Sequence, residues 1–232
     1  MTFGRGAHVI FLHGWGGSTE SFRFVADKLS ERFTVTLLDF YGFGDTPEPE
    51  TPFGVRDCAE GVVEVMNNHG ITSATFVCHS FGGRVGLELA AKKPHLIDKL
   101  VLIDAAGLKP RRKPTYYAKI WLHKLLKAFG RKGLKGSNDY RALTPVMRAS
   151  FVKIVNYHQD ALLTSVRRPV AVFWGKQDRE TPPYMARRFK RKLPDCALFF
   201  LNGGHFAYVD DFGRFLAILQ AFLGETEAGS KP

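Results

Sequence analysis

Cysteine is scarce in this chain: Cys58, Cys78 and Cys196 are its only three in 232 residues. So small, odd and scattered a set argues against a disulfide framework and lacks metal-ligand spacing, and a reducing cytoplasm is the expected setting. Long apolar runs are missing as well. No stretch reaches the roughly 18 uninterrupted apolar residues of a membrane-spanning helix, and the most suggestive one, 196–209, is broken by Asn202-Gly203-Gly204. Residues 1–7 contain no apolar core that could serve as a signal peptide. Acidic residues are in deficit, 22 Asp+Glu against 33 Lys+Arg, which leaves a formal charge of +11. Nucleotide-binding glycine patterns are absent too. The cluster Gly14-Trp15-Gly16-Gly17 lacks both the Lys-Ser/Thr of a P-loop and the G-x-G-x-x-G spacing.

What is present is a mixture of short β-branched runs and amphipathic helical patterns. His8-Val9-Ile10-Phe11-Leu12, Thr34-Val35-Thr36-Leu37-Leu38, Ala74-Thr75-Phe76-Val77-Cys78, Leu100-Val101-Leu102-Ile103, residues 170–174 and Ala197-Leu198-Phe199-Phe200-Leu201 read as strands. Helical periodicity separates them at 21–30, 55–69, from 81 onward, at 182–192 and at 212–223. Alternation of this kind predicts an α/β fold, a mostly parallel sheet of about six strands with helices on both faces. Ligands of such sheets bind beyond the carboxyl ends of the strands, where His13-Gly14-Trp15, Asp39, Ser80, Asp104, Asp178 and the loop after Leu201 fall.

Four of those points carry complementary chemistry. Val77-Cys78-His79-Ser80-Phe81-Gly82-Gly83 lies at a strand-to-helix junction, a nucleophile-elbow pattern with Cys78 in the first glycine position. A serine hydroxyl is a weak nucleophile at neutral pH and needs a base. His205, in Asn202-Gly203-Gly204-His205-Phe206 after the last strand, is the candidate. The base needs a carboxylate to fix its tautomer. Asp178, after the fifth strand, is favoured for that role, with Asp104 as the alternative. Backbone N–H groups of Phe81 and Trp15 are the candidate oxyanion donors. Asp39 is read instead as bracing the turn Tyr41-Gly42-Phe43-Gly44-Asp45-Thr46.

On these residues the chain resembles the serine α/β-hydrolase superfamily over residues 9–223. The resemblance implies an acyl-enzyme mechanism with Ser80, Asp178 and His205 as a triad and no cofactor or metal. It also implies that 107–168 is a helical cap inserted into a core formed by 1–106 and 169–232. The hairpin that opens the family's sheet is expected to be missing, because so few residues precede the first strand. A serine nucleophile argues against haloalkane dehalogenases and epoxide hydrolases, which use aspartate. The His13-Gly14-Trp15-Gly16 and Asp39-Phe40-Tyr41-Gly42-Phe43-Gly44 loops look most like small carboxylesterases, including those that demethylate a pimeloyl group on acyl carrier protein. Meta-cleavage C–C hydrolases and thioester hydrolases share the framework, and a non-catalytic ligand receptor is the reading from another class.

The charge is concentrated in the implied cap: 107–168 holds fifteen Lys/Arg against Asp139 and Asp160, a net of +13, and the rest of the chain carries −2. Residues 113–132 read as an amphipathic helix, and a second helix is expected to begin at Pro145 with Thr144 as its cap and Val146, Met147, Phe151, Ile154 and Val155 turned inward. Trp121, Leu125, Met147, Phe151 and Phe206 are the candidate contacts for a small-molecule ester. The basic surface suits a solvated face, an acidic carrier protein, an anionic membrane surface or an anionic substrate. No nucleic acid is expected, since no binding motif accompanies the charge.

Overall fold

The computed structural model describes residues 1–111 and 142–224. The helix expected at 113–132, with Trp121 and Leu125, lies outside the described residues. Seven strands form one sheet in the order β1-β3-β2-β4-β5-β6-β7: β1 Thr2–Gly4, β2 His8–Leu12, β3 Thr34–Leu38, β4 Ala74–His79, β5 Ile97–Ile103, β6 Val170–Gly175 and β7 Cys196–Leu201. All neighbours are parallel except β1, which runs antiparallel to β3 with Phe3 opposite Val35.

That strand is one more than the six expected, and it restores an antiparallel edge at the position where a missing hairpin was expected. It is only three residues long and ends on Gly4, too short for an alternating pattern to register. Its pairing is with β3 rather than with the next strand in sequence, so no hairpin turn marks it either.

The helices among the described residues are α1 Arg23–Leu29, α2 Val55–Asn68, α3 Phe81–Lys92, α4 Pro145–Asn156, α5 Tyr184–Lys192, α6 Ala207–Asp210 and α7 Phe212–Gly224. Strand side chains alternate between two faces, and the central strands are apolar on both. Ile10, Leu12, Phe76, Cys78, Leu100, Leu102, Val172 and Trp174 belong to one core with α2, α3, α4 and α5. Val9, Phe11, Val77, Val101, Ile103, Ala171 and Phe173 belong to the other with α1, α6 and α7. Burying each large aliphatic or aromatic side chain contributes about 1.5–3 kcal/mol, and β4 and β6 are buried along their whole length. The sheet is thereby a rigid platform whose carboxyl edge carries the loops that matter. Among the described residues no helix is long and apolar enough to cross a membrane.

Helix α4 lies over that edge. Thr144 caps it by accepting from Met147 N–H at 3.2 Å, as the sequence predicts. Its inward face differs from expectation. Met147, Ser150 and Ile154 are buried, Ser150 in place of an expected aliphatic, whereas Val155 is 37% exposed and borders the cavity at the sheet edge. Positions 147, 150 and 154 share one helix face, and Ser150 is tolerated there because its hydroxyl accepts from Phe53 N–H at 3.0 Å and donates to Val146 O at 2.9 Å.

Candidate active site

The β4–α3 junction sets Ser80 at φ 47° and ψ −106°, a region costly for a side chain bearing Cβ, by about 1–3 kcal/mol. The surroundings hold it there. Ser80 N–H donates to Ile103 O at 3.0 Å, and Ser80 O accepts from Gly83 N–H and Ala106 N–H at 3.1 and 3.0 Å. Helix and strand approach so closely that a Cβ on Gly82 would stand 2.1 Å from Leu12 O. The departure at Cys78 is accommodated one layer further down. A Cβ on Gly86 would meet its sulfur at 2.7 Å, so the glycine in α3 provides the room that Cys78 requires. Burial pushes the Cys78 thiol far above its ordinary range, which leaves it inert.

The loop after β7 brings His205 over the sheet edge. Its Nε2 lies 2.9 Å from Ser80 Oγ and its Nδ1 lies 2.9 Å from Asp178 Oδ2. The carboxylate fixes Nδ1 as the protonated nitrogen, and Nε2 is left to accept the Ser80 proton. The loop is itself anchored: Asn202 N–H and Gly204 N–H donate to Asp211 and Asp210 at 2.9 and 3.1 Å, and His79 Nε2–H donates to His205 O at 2.8 Å. Burial drives His79 down to about 3, so it stays a neutral strut.

Asp178 and Asp104 both lie beside the loop, and their environments push them apart. Asp178 is 3% exposed. Its burial favours the neutral acid, but hydrogen bonds from His205, from the Thr181 hydroxyl at 2.6 Å and from Thr181 N–H at 3.0 Å outweigh it and hold the carboxyl below its usual range. Asp104 is fully buried at φ 44°. It accepts Gly175 N–H at 2.7 Å through Oδ1, and no donor reaches Oδ2. Burial, with the neighbouring Asp178 charge, raises it to about 9. The alternative acid is therefore a protonated carboxyl that braces β6, and of the two aspartates only Asp178 meets the imidazole.

Neither Trp15 N–H nor Phe81 N–H has an acceptor among the described residues, and both residues line the cavity that holds Ser80 and His205. The Trp15 loop is held by His13, whose Nδ1–H donates to Gly14 O at 2.7 Å while Nε2 accepts Phe40 N–H at 3.1 Å. Asp39 braces its turn as expected, accepting Asp45 N–H at 3.2 Å, and reaches further to Thr19 N–H at 2.6 Å.

The cavity encloses about 490 Å³. Phe151 and Phe206 line it, Phe151 with its ring 5.2 Å from that of Trp15. Met147 does not. Its sulfur packs at Gly42 and it is 4% exposed, because the face of α4 that carries 147 is turned into the core one turn before the cavity begins. Ile154 and Val155, expected to face inward, line the cavity too, as do Arg84 and Glu180, which sequence reasoning missed. Glu180 Oε2 stands 3.3 Å from His205 Nε2. Arg84 carried a signal that was available, since it follows Ser80 by one helical turn and so shares its face.

A family model described as the alpha/beta hydrolase fold matches residues 7–131 of the chain. An uncharacterized protein of Mycobacterium tuberculosis is 27% identical over 263 residues, covering 97% of this chain and 77% of that protein. Pimeloyl-[acyl-carrier protein] methyl ester esterase of Chromobacterium violaceum is 26% identical over 254 residues, 98% of each chain. Among solved structures, an esterase from Exiguobacterium antarcticum superposes with a TM-score of 0.78 at 21% identity, covering 96% of this chain and 93% of that one, a likeness of fold.

Proposed function

The chain belongs to the alpha/beta hydrolase fold family, and on that premise we propose that it is a serine hydrolase cleaving carboxylic esters through an acyl-enzyme. The observation that carries this reading is the single imidazole of His205 placed 2.9 Å from Ser80 Oγ and 2.9 Å from Asp178 Oδ2. Ser80 Oγ attacks the ester carbonyl carbon while His205 Nε2 takes its proton. Negative charge gathers on the former carbonyl oxygen, where the uncommitted N–H groups of Trp15 and Phe81 meet it; a donor of this kind contributes about 3–4 kcal/mol to the barrier. The tetrahedral species collapses with expulsion of the alcohol, protonated by His205. Water then attacks the acyl-serine with His205 again as base, and the carboxylic acid leaves.

Asp178 stays ionised throughout and stabilises the imidazolium that forms twice per turnover. The described helix α4 serves as a cap element, contributing Phe151, Ile154 and Val155 to the cavity wall. A panel of p-nitrophenyl esters of increasing acyl length tests the reading. Wild type turns over at least one of them, and Ser80→Ala lowers kcat by about ten-thousand-fold or more. Turnover of none of them by the wild type overturns it and favours a ligand receptor.

A further inference from the structure

Arg84 borders the same cavity as Ser80 and His205 and is only 7% exposed. Burying a guanidinium is costly unless a carboxylate neutralises it. Among the described residues no carboxylate lies within ion-pair distance of Arg84. Glu88, one turn further along α3, is occupied by the Tyr157 hydroxyl at 2.8 Å and by Arg56 at 3.5 Å. Arg84 Nη1 donates to Tyr157 O. Among the described residues the other guanidinium N–H groups have no acceptor, and Arg84 lines the cavity wall. Burial lowers the group to about 10, so it remains a cation at neutral pH.

The opposite charge occupies another part of the cavity wall. Glu180 stands beside His205 Nε2, the nitrogen that hands a proton to the departing alcohol. A negative group on the alcohol is therefore repelled, whereas one on the acyl part has a guanidinium to meet. We propose that Arg84 is a specificity determinant that receives a free carboxylate on the acyl chain, so that half-esters of dicarboxylic acids are the preferred substrate class. The inference rests on the assignment of Ser80 and His205 above. An Arg–carboxylate pair is strong and directional because the planar fork matches two oxygens.

The test compares monomethyl glutarate with neutral dimethyl glutarate in wild type, Arg84→Lys and Arg84→Met. The ratio of kcat/KM for the half-ester to that for the diester exceeds one in wild type. It falls about 10–100-fold in Arg84→Met, mainly through KM, and less in Arg84→Lys. A wild type without preference, or a ratio unmoved by Arg84→Met, overturns the proposal. A second measurement needs neither turnover nor a variant that folds: calorimetry with wild type, where glutarate binds and glutaramide does not. Equal binding of the two, or of neither, also overturns it. If no ester is hydrolysed but glutarate still binds selectively, the esterase reading has failed and the carboxylate subsite stands. If esters are hydrolysed without regard to charge, only the subsite has failed.

Discussion

At the scale of single residues, the decisive contrast is between two buried carboxyls that sit side by side and ionise differently. Asp178 keeps its charge because four donors converge on it, His205 Nδ1–H, Glu180 N–H, Thr181 N–H and the Thr181 hydroxyl, and Asp104 loses its charge mainly through burial, with one oxygen that no donor reaches. Asp178→Asn should lower kcat about 10³–10⁴-fold, by releasing the tautomer of His205. Asp104→Asn should retain activity within about threefold, since an amide keeps the acceptor for Gly175 N–H. Steady-state kinetics on one p-nitrophenyl ester checks both, and the reverse order would exchange the roles. Asp104 also predicts a stability profile. Its carboxyl titrates near 9 in the folded chain and near 3.9 when unfolded, so between those values the folded state holds the extra proton and stability falls as pH rises. Urea midpoints of Asp104→Asn measured against wild type should therefore improve more at pH 8 than at pH 5. Chain order pointed to Ser80, an acid and His205 at the ends of strands along one sheet edge but left two acids in contention. The choice depends on which loop brings its carboxylate to the imidazole, a tertiary fact with no local pattern in the sequence.

At the scale of elements, the β4–α3 junction depends on the close approach of strand and helix. Gly82→Ala should abolish the folded, active protein or drive its helix away from β2, since the new Cβ would overlap Leu12 O at 2.1 Å; circular dichroism melts together with ester turnover read this. The packing of α4 rests on a buried hydroxyl rather than on another aliphatic. Ser150→Ala strands Phe53 N–H without its acceptor, and a loss of about 1–3 kcal/mol in unfolding free energy is expected, with the cavity wall at Phe151 loosened. The six principal strands were legible because β-branched runs buried on both faces leave near-continuous apolar stretches. Two elements escaped because they are short: β1 has three residues and α6 four, too few to show a period. α4 was legible from its cap and apolar spacing, but the hydrogen-bonded Ser150 on its buried face was not.

At the scale of the whole molecule, charge and chemistry are separated. The segment 107–168 carries +13 and the remainder −2, and the groups assigned to the reaction all come from the remainder. Hydrolysis of a small neutral ester should accordingly vary less than about twofold as ionic strength rises from roughly 0.02 to 0.3 M; a steep dependence would place the basic segment in the chemistry itself. That separation was visible in the sequence as a compositional boundary, as was the order of the strand-end residues. The cavity's own polarity was visible only in part: Arg84 shares the Ser80 face of α3 by its spacing, whereas Glu180 joins that wall only through the tertiary fold. The central claim is that Ser80 is the nucleophile. Intact-protein and peptide mass spectrometry after treatment with a fluorophosphonate tests it most directly. One adduct should form, on the peptide containing Ser80, suppressed by a hydrolysable ester and absent from Ser80→Ala. An unmodified wild-type protein, or an adduct that persists in Ser80→Ala, would contradict it.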